Sequence, residues 1–450
     1  MLELEEIKLD EIKELLKNKK FIKLKKYLKE INSADIPPLF DELNEEESLI
    51  LFRLLNKEVA AEVFTELDSD LQEKLIGFFT DKELKAVIDE LFMDETVDLI
   101  EEMPSNVVKR ILKNVDKEDR RTINELLNYP EDSAGSIMTT EFIDLKENMT
   151  VEEAFKEVKK DCVNQETIYN MYVLSLTRKI IGVIDLKTLL LSDPKAKIKD
   201  LMDENVITIN TLDDQEEVGK MFNKYNKYAL PVVDTEGRLV GIVTIDDAMD
   251  VMQEENEEDF EKMAAVIPSD ETYLKTSVFK HARNRIVWLL ILMLSATFTG
   301  MVLTHYESAF EAVPLLVSFI PMIMGTGGNC GSQSSTLVIR GMAVDEIRMR
   351  DFLKVLWKEI RVALLVGMAL FVANSIKIYI QYKDITLCLV LGITLFLTII
   401  ISKIIGSMLP MIVKKLKQDP AIVAAPFITT VVDLASVMIY FKIATMLLGL

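Results

Sequence analysis

The chain is short of the residues that build disulfide-bonded or zinc-dependent folds. Its 450 residues include three cysteines (Cys162, Cys330 and Cys388), which give no disulfide framework and fit a reducing compartment. Two histidines, His281 and His305, exclude zinc centres built on several imidazoles. No Walker A loop and no phosphorylation-type ATPase motif is present, which argues against coupling to ATP hydrolysis and leaves no enzyme of that class to expect. The opening residues MLELEEIKLD lack a basic n-region and an apolar h-region, so no secretory signal is visible. Positive charge is scarce as well, but unevenly. Residues 1–270 hold 63 acidic against 35 basic residues, a net of −28, whereas residues 271–450 hold 10 against 17, a net of +7. A nucleic-acid binder needs a basic face to meet phosphates, so nucleic acid is not expected as a partner. A composition step of this size argues against one uniform globular domain.

The hydropathy changes abruptly after Arg285. Residues 286–303 run apolar without a charge, close to the ~20 residues a spanning helix needs. Four more candidates follow at about 313–339, 362–380, 385–405 and 422–448; the first and last of these are long and interrupted. Lys275, Lys280, Arg283 and Arg285 precede the first span. Arg340, Arg348, Arg350, Lys354, Lys358 and Arg361 separate the second from the third, and Lys414, Lys415 and Lys417 precede the fifth. The alternate connections hold few cations. The positive-inside rule therefore places the basic loops and the acidic N-terminal part in the cytoplasm, and five spans put the C-terminus outside a cell (inner) membrane.

The soluble part divides again. Residues 1–130 read as all-helical, with apolar residues three or four apart and little glycine, which suggests a superhelical stack of short helices. In residues 131–250, β-branched strand segments alternate with helices, and they repeat. Ser136-Ile137-Met138-Thr139 is echoed by Asp200-Leu201-Met202-Asp203, about 64 residues on. Each repeat closes with two strands and a helix. This β-α-β-β-α order resembles a tandem CBS-domain pair (131–198 and 199–250), and the Leu230–Asp247 stretch carries the resemblance most specifically. Such pairs often bind adenosine nucleotides through a Thr/Ser-x-x-Asp, here Thr244 and Asp247. The first repeat has Asp185 and Thr188 in those places with their roles reversed. ATP or another adenosine nucleotide is therefore a candidate ligand.

Two intramembrane features carry chemistry. Pro321, Gly325, Thr326, Gly327, Gly328, Asn329 and Gly331 fall inside the second span. Glycine and proline there read two ways: as an interrupted helix whose freed carbonyls face an ion, or as close helix packing through small residues. Asp433 lies well inside the fifth span. A carboxylate at the bilayer centre costs at least ~2.5–3.5 kcal/mol, so it needs a partner (Lys403 is one) or an aqueous path. Thr429, Thr430 and Ser436 share its helical face and make an oxygen-lined strip suited to a hard cation. Gly325, Gly328, Asn329, Thr429 and Asp433 are the candidate pore-lining set.

Taken together the sequence is similar to the MgtE family of magnesium channels and transporters over nearly its whole length. The resemblance rests on Tyr129-Pro130-Glu131-Asp132-Ser133-Ala134-Gly135 with Met138-Thr139, on Thr244-Ile245-Asp246-Asp247, and on Arg285-x-x-Trp288-Leu289. It continues through Gly325-Thr326-Gly327-Gly328-Asn329-x-Gly331-x-Gln333 with Arg340, Gly406-Ser407-Met408-Leu409-Pro410, and Asp419-Pro420-Ala421 with Pro426 and Asp433. It implies a homodimer in which each subunit has a helical N domain (1–130), a CBS pair (131–250), a connecting plug helix (251–275) and a five-span all-α membrane domain (276–450). It also implies that Asp433 of both subunits binds hydrated Mg2+, which sheds water reluctantly and favours octahedral oxygen.

Acid clusters occur where the family's cytosolic Mg2+ sites would lie. They comprise Asp94, Glu95 and Asp98; Asp214, Glu216 and Glu217; Asp246, Asp247 and Asp250; and Glu254, Glu255, Glu257, Glu258 and Asp259, with Asp419 placed to receive the plug. The expected function is Mg2+ movement into the cytoplasm, closed by internal Mg2+ through these carboxylates. The alternatives are a Mn2+, Co2+ or Ni2+ carrier of the same architecture, and a nucleotide-sensing membrane protein that transports nothing.

Overall fold

The structure, a computed structural model, describes residues 2–161, 165–269, 273–274, 276–307, 313–423 and 425–449; Cys162 and Lys275 lie outside the described residues. The chain forms two compact units, Met1–Met252 and Gln253–Leu450.

The first unit opens with α1 (Leu2–Lys17), α2 (Phe21–Leu28), α3 (Glu45–Leu54), α4 (Lys57–Thr65), α5 (Ser69–Phe78), α6 (Asp81–Ile88), α7 (Met93–Glu102), α8 (Ser105–Asn114) and α9 (Lys117–Leu126). After α1 none exceeds ten residues, too short to persist without tertiary packing. Capping boxes at Asn44 and Thr80 satisfy the first amides of α3 and α6. Phe52, Phe64 and Phe79 stack at the centre with ring centroids 5.2–6.3 Å apart. The guanidinium of Arg110 donates to the carbonyls of Ile76 and Phe79, which would otherwise be orphaned where α5 ends.

The repeat then builds two matching sheets. Strands β1 (Asp144–Lys146), β2 (Asn170–Leu174) and β3 (Ile180–Asp185) form one, and β4 (Ile209–Asn210), β5 (Ala229–Val233) and β6 (Leu239–Thr244) the other. In each, the first pair is parallel and the second antiparallel, with a bulge at the same place, Val173/Leu174 and Val232/Val233. Helices α10 (Val151–Asp161), α11 (Leu186–Leu191), α12 (Gln215–Tyr225) and α13 (Ile245–Met263) cover them.

The structure explains the 64-residue echo. Thr139 pairs with Ile242 of the second sheet, and Asp203 with Val183 of the first, so the two repeats exchange their leading segments. Met138 then lies on Gly241 and Met202 on Gly182, where a Cβ would come within 2.7 and 2.4 Å of the methionine sulfurs. Any side chain at either glycine would push the swapped segment off its sheet. Helix α13 runs unbroken past residue 250 and ends at Met263.

The second unit carries α14 (Val278–His305), α15 (Ile320–Ala343), α16 (Phe352–Tyr382), α17 (Ile385–Lys415) and α18 (Ala425–Leu448). Among the described residues, four segments are long and apolar enough to cross a bilayer: Val278–His305, Met349–Tyr382, Ile385–Lys415 and Ala425–Leu448. Helix α15 has 24 residues, roughly 36 Å of rise, but its glycines and serines dilute its hydropathy. It corrects one of the two readings of the glycine segment. No interruption occurs between Gly325 and Gly331, and Pro321 sits at the start of the helix, where its missing N–H costs nothing. The glycines serve packing instead. A Cβ on Gly327 would meet Ser436, Thr398 and Val432; on Gly328, Thr429; on Gly331, Ile428 and Val432. Gly406 of α17 lies backbone to backbone on Gly331, with its would-be Cβ 2.1 Å from the Gly331 carbonyl oxygen.

Candidate functional site

Packing of α15 on α18 runs antiparallel, because Gly331 meets Ile428 while Gly327 meets Ser436. Asp433 therefore sits level with Gly325 to Gly328. Gly325 is open, with nothing within 4 Å of a Cβ built on it. Asp433 is half-buried, and its Oδ1 is buried without a hydrogen-bond partner among the described residues. The hydroxyls beside it are already oriented. Thr429 Oγ1 donates to the Ala425 carbonyl at 2.7 Å, Thr430 Oγ1 to that of Pro426 at 3.0 Å and Ser436 Oγ to that of Val432 at 2.6 Å. With their protons spent on the helix, these oxygens offer lone pairs that can accept hydrogen bonds from the waters of a hydrated cation. Ser332 of α15 lies 3.3 Å from Thr429 Oγ1 and ties the two helices.

Helix α15 also exposes Gly325, Asn329, Gln333 and Arg340. Their spacing of about four and seven puts them along one side of the helix. Amides and a guanidinium cannot face hydrocarbon unpaired, so this side meets water or another protein surface. Gln333, part of the glycine-rich motif in the sequence, is exposed on this side of α15.

Lys403 does not pair with Asp433. Its ammonium donates to Ser334 Oγ at 3.0 Å and lies 3.7 Å from Glu359, and Ser334 Oγ donates to Glu359 at 2.7 Å. All three are nearly or fully buried, in α17, α15 and α16 respectively. This neutral network joins three helices and leaves Asp433 without a countercharge from Lys403.

In the first unit the structure brings the α7 acids to the CBS pair. Burial pushes Asp94 well above the usual carboxylate range, and the charges of Asp247 and Glu166 push the same way. Glu95 is raised by burial and by Asp247 and Glu141. Glu166 is pushed up to about 8 by burial first, then by Asp247, Asp246, Glu95 and Glu141. Asp247 and Asp250 are raised by burial and by Asp246. Glu141 and Glu166 also belong to this set; they lie in loops, where no periodicity marks them. The acids repel one another without being gathered on one point: among the described residues no three Asp, Glu, His or Cys side chains converge as a ready-made metal site.

The remaining predicted acids fall elsewhere. Asp98 is exposed, one turn beyond Asp94. Asp214 caps α12 by accepting from the Glu216 amide at 2.9 Å, and Glu216 and Glu217 both pair with Lys220. Glu255 and Asp259 are half-buried on α13. In the second unit Glu258 and Asp419 hold the same cation: Lys262 Nζ lies 2.7 Å from Glu258 and 2.8 Å from Asp419. Burial opposes the charge of Lys262, but its bonds to Asp419 and Glu258 outweigh this and raise it above the usual ammonium range.

For the nucleotide, Thr244 and Asp247 are engaged with each other. Asp247 accepts from the Thr244 amide at 3.2 Å and from its hydroxyl, and it faces the acid set. The first repeat has a different arrangement. Asp185 caps α11 by accepting from the Thr188 amide at 2.6 Å, and bonds from Thr188, then the charges of Lys187 and Lys227, hold its carboxyl below the usual range. Tyr169 and Tyr228, equivalent in the two repeats, present exposed rings 5.8 Å apart.

Residues 320–443 match the divalent cation transporter family MgtE, 31–132 the MgtE intracellular N domain, and 134–193 and 198–254 the CBS domain. The chain is 35% identical over 428 residues to the magnesium transporter MgtE of Thermus thermophilus, covering 94% of this chain and 95% of the relative. It is 33% identical to that of Bacillus subtilis, covering 85% of each. Among solved structures it is similar to the cytosolic domain of the Mg2+ channel MgtE in complex with ATP, at 34% identity and a TM-score of 0.52, covering 54% of this chain and 99% of that one. The soluble part of a magnesium transporter matches at 29% identity and a TM-score of 0.51, over 56% of this chain and 99% of that one. The chain belongs to the MgtE family.

Proposed function

We propose that this chain carries Mg2+ across the cell membrane into the cytoplasm, as a homodimer, along a path lined by Asp433, Thr429 and the exposed side of α15. The unpartnered Asp433 oxygen among lone-pair-bearing hydroxyls is the observation that supports it most. Such a set suits a hard cation that keeps its waters. Counting α15, whose length suffices, gives five spans, with the basic loops and the N-terminus inside and the C-terminus outside. A softer metal would look for sulfur or imidazole, and Cys330 is buried against Ala363 and Ile399, away from such use. Purified protein in liposomes should admit Mg2+, with an equal concentration of Mn2+ or Co2+ reducing the rate by less than about twofold. Strong competition by those ions would favour the carrier of softer metals, and no flux of any ion would favour a non-transporting regulator.

The acid sets, Asp94 to Asp98, Asp214 to Glu217, Asp246 to Asp250 and Glu255 to Asp259 with Asp419, form in this reading a sensor for internal Mg2+. At low Mg2+ their mutual repulsion loosens the 1–130, 131–250 and 251–275 segments; millimolar Mg2+ bridges them and closes the path. A cation that binds the closed state better shifts the balance towards it. Lys262 then competes with Mg2+ for Glu258 and Asp419. Lys262→Met should lower the internal Mg2+ needed for half-closure by roughly tenfold, about what losing one charge-assisted contact is worth. A threshold that stays put, read from flux at graded internal Mg2+, would remove Lys262 from gating.

Adenosine nucleotide is proposed to bind at Asp185, Thr188, Tyr169 and Tyr228 rather than at Thr244 and Asp247. The exposed tyrosine rings offer an outer face on which a base can stack, and the lysines suit phosphates, whereas the acid set repels them. Asp185→Ala should weaken ATP binding by at least about tenfold in calorimetry, and Thr244→Ala should leave it unchanged; the reverse pattern would restore the second repeat.

A further inference from the structure

One side of α16 is built for a bilayer lipid. Val355, Ala363 and Gly367 face inwards, with Gly367 so close to Phe396 of α17 that its would-be Cβ lies 2.9 Å from that ring. The opposite side is exposed along its whole length through Lys354, Trp357, Lys358, Arg361, Leu365, Met368, Val372 and Tyr379. At 100° per residue these fall within one stripe. From Arg361 to Tyr379 the stripe rises roughly 27 Å, near the hydrocarbon thickness of a bilayer, and aromatic rings bound it at both ends, as membrane interfaces favour.

The end at Trp357 carries charge of one sign. Lys354 is paired with Asp351 at 2.6 Å. Lys358 and Arg361 have no ion-pair partner among the described residues, and the Arg361 guanidinium lies 5.9 Å from the Trp357 ring centre. Arg361 Nε donates to the Trp357 carbonyl at 3.3 Å, which leaves its positive charge uncompensated, and an apolar stripe leading to two cations without a countercharge and an indole matches the acyl chain and headgroup of an anionic phospholipid. We infer that Trp357, Lys358 and Arg361 form a site selective for anionic phospholipid headgroups, with the acyl chain lying along Leu365, Met368 and Val372.

The inference rests on α16 spanning the membrane, and a fluorescence experiment separates the two. The chain has two tryptophans, so full-length Trp288→Phe protein reports on Trp357 alone. It would be reconstituted with brominated phosphatidylglycerol or brominated phosphatidylcholine, whose bromines quench indole on contact. Half-maximal quenching should need a roughly thirtyfold lower mole fraction of the anionic lipid, about fivefold for each of the two interfacial cations. Adding Lys358→Gln and Arg361→Gln should abolish that preference while quenching by phosphatidylcholine persists, which also reports that the variant inserts normally. Equal quenching by both lipids overturns the headgroup site but keeps the spanning helix. A preference that survives the double substitution overturns the assignment to these cations. No quenching by either lipid overturns both, and means that another protein surface covers the stripe.

Discussion

Asp433→Asn should reduce Mg2+ flux into liposomes by about two orders of magnitude, equivalent to about 3 kcal/mol of lost interaction with a charged ligand. The substitution keeps shape and volume and removes only the charge. In the free protein that charge is a liability. Its Oδ1 is buried and unpartnered, the neighbouring hydroxyls donate to their own helix, and Lys403 is engaged by Ser334 and Glu359. A carboxylate kept in that state costs at least ~2.5–3.5 kcal/mol on insertion scales, which a passing cation offsets. Neutralising it should therefore leave thermal stability without Mg2+ equal or higher while flux collapses. This pairing separates a lost ion site from a misfolded protein, since misfolding would lower both. Flux within about threefold of the parent chain would take Asp433 out of the path.

What could be read in the sequence and what could not divide along physical lines. Asp433 stood out because a charge inside an apolar run needs either a partner or an aqueous path, and the structure removes Lys403 as that partner. The two CBS repeats were legible because strand and helix periods recur, and the echo at Met138 and Met202 turned out to mark the swapped segments on Gly241 and Gly182. The glycines of α15 were ambiguous: the same residue that loosens a helix in water lets two backbones touch, as Gly331 and Gly406 do, and only the neighbour's distance decides. Glu359 was hidden among loop charges, and its partner Ser334 looked like filler, because a three-helix network leaves no local spacing. Glu141 and Glu166 were invisible for the same reason, since only the fold brings them to Asp94 and Asp247.

Raising the pH without Mg2+ should loosen the contact between α7 and the CBS pair, and Mg2+ should restore it. Glu166 has a folded pKa of about 8 against an ordinary value of 4.5, and Asp94, Glu95, Glu141 and Asp247 are raised in the same direction, first by burial. Between those limits the folded protein holds more protons than the unfolded chain, so stability falls as pH rises. The contribution is fully present below about 4.5 and is lost as pH passes through about 8. In the proposed sensor Mg2+ would bind the deprotonated acids, so its stabilising effect should grow over the same window, following the ratio of its concentration to its dissociation constant. Hydrogen exchange of full-length protein at Met93–Glu102, with and without millimolar Mg2+ at pH 5 and pH 8, measures both trends. At pH 8 protection there should rise at least about tenfold on adding Mg2+, and little at pH 5. Asp94→Asn combined with Glu166→Gln should weaken the pH dependence and the Mg2+ response and raise the internal Mg2+ needed for closure, because the two most strongly raised acids no longer repel or bridge. Protection that ignores pH and Mg2+ in the parent chain, or a variant that closes at the normal Mg2+ concentration, would show the acid excess to be a solvated surface and not a sensor.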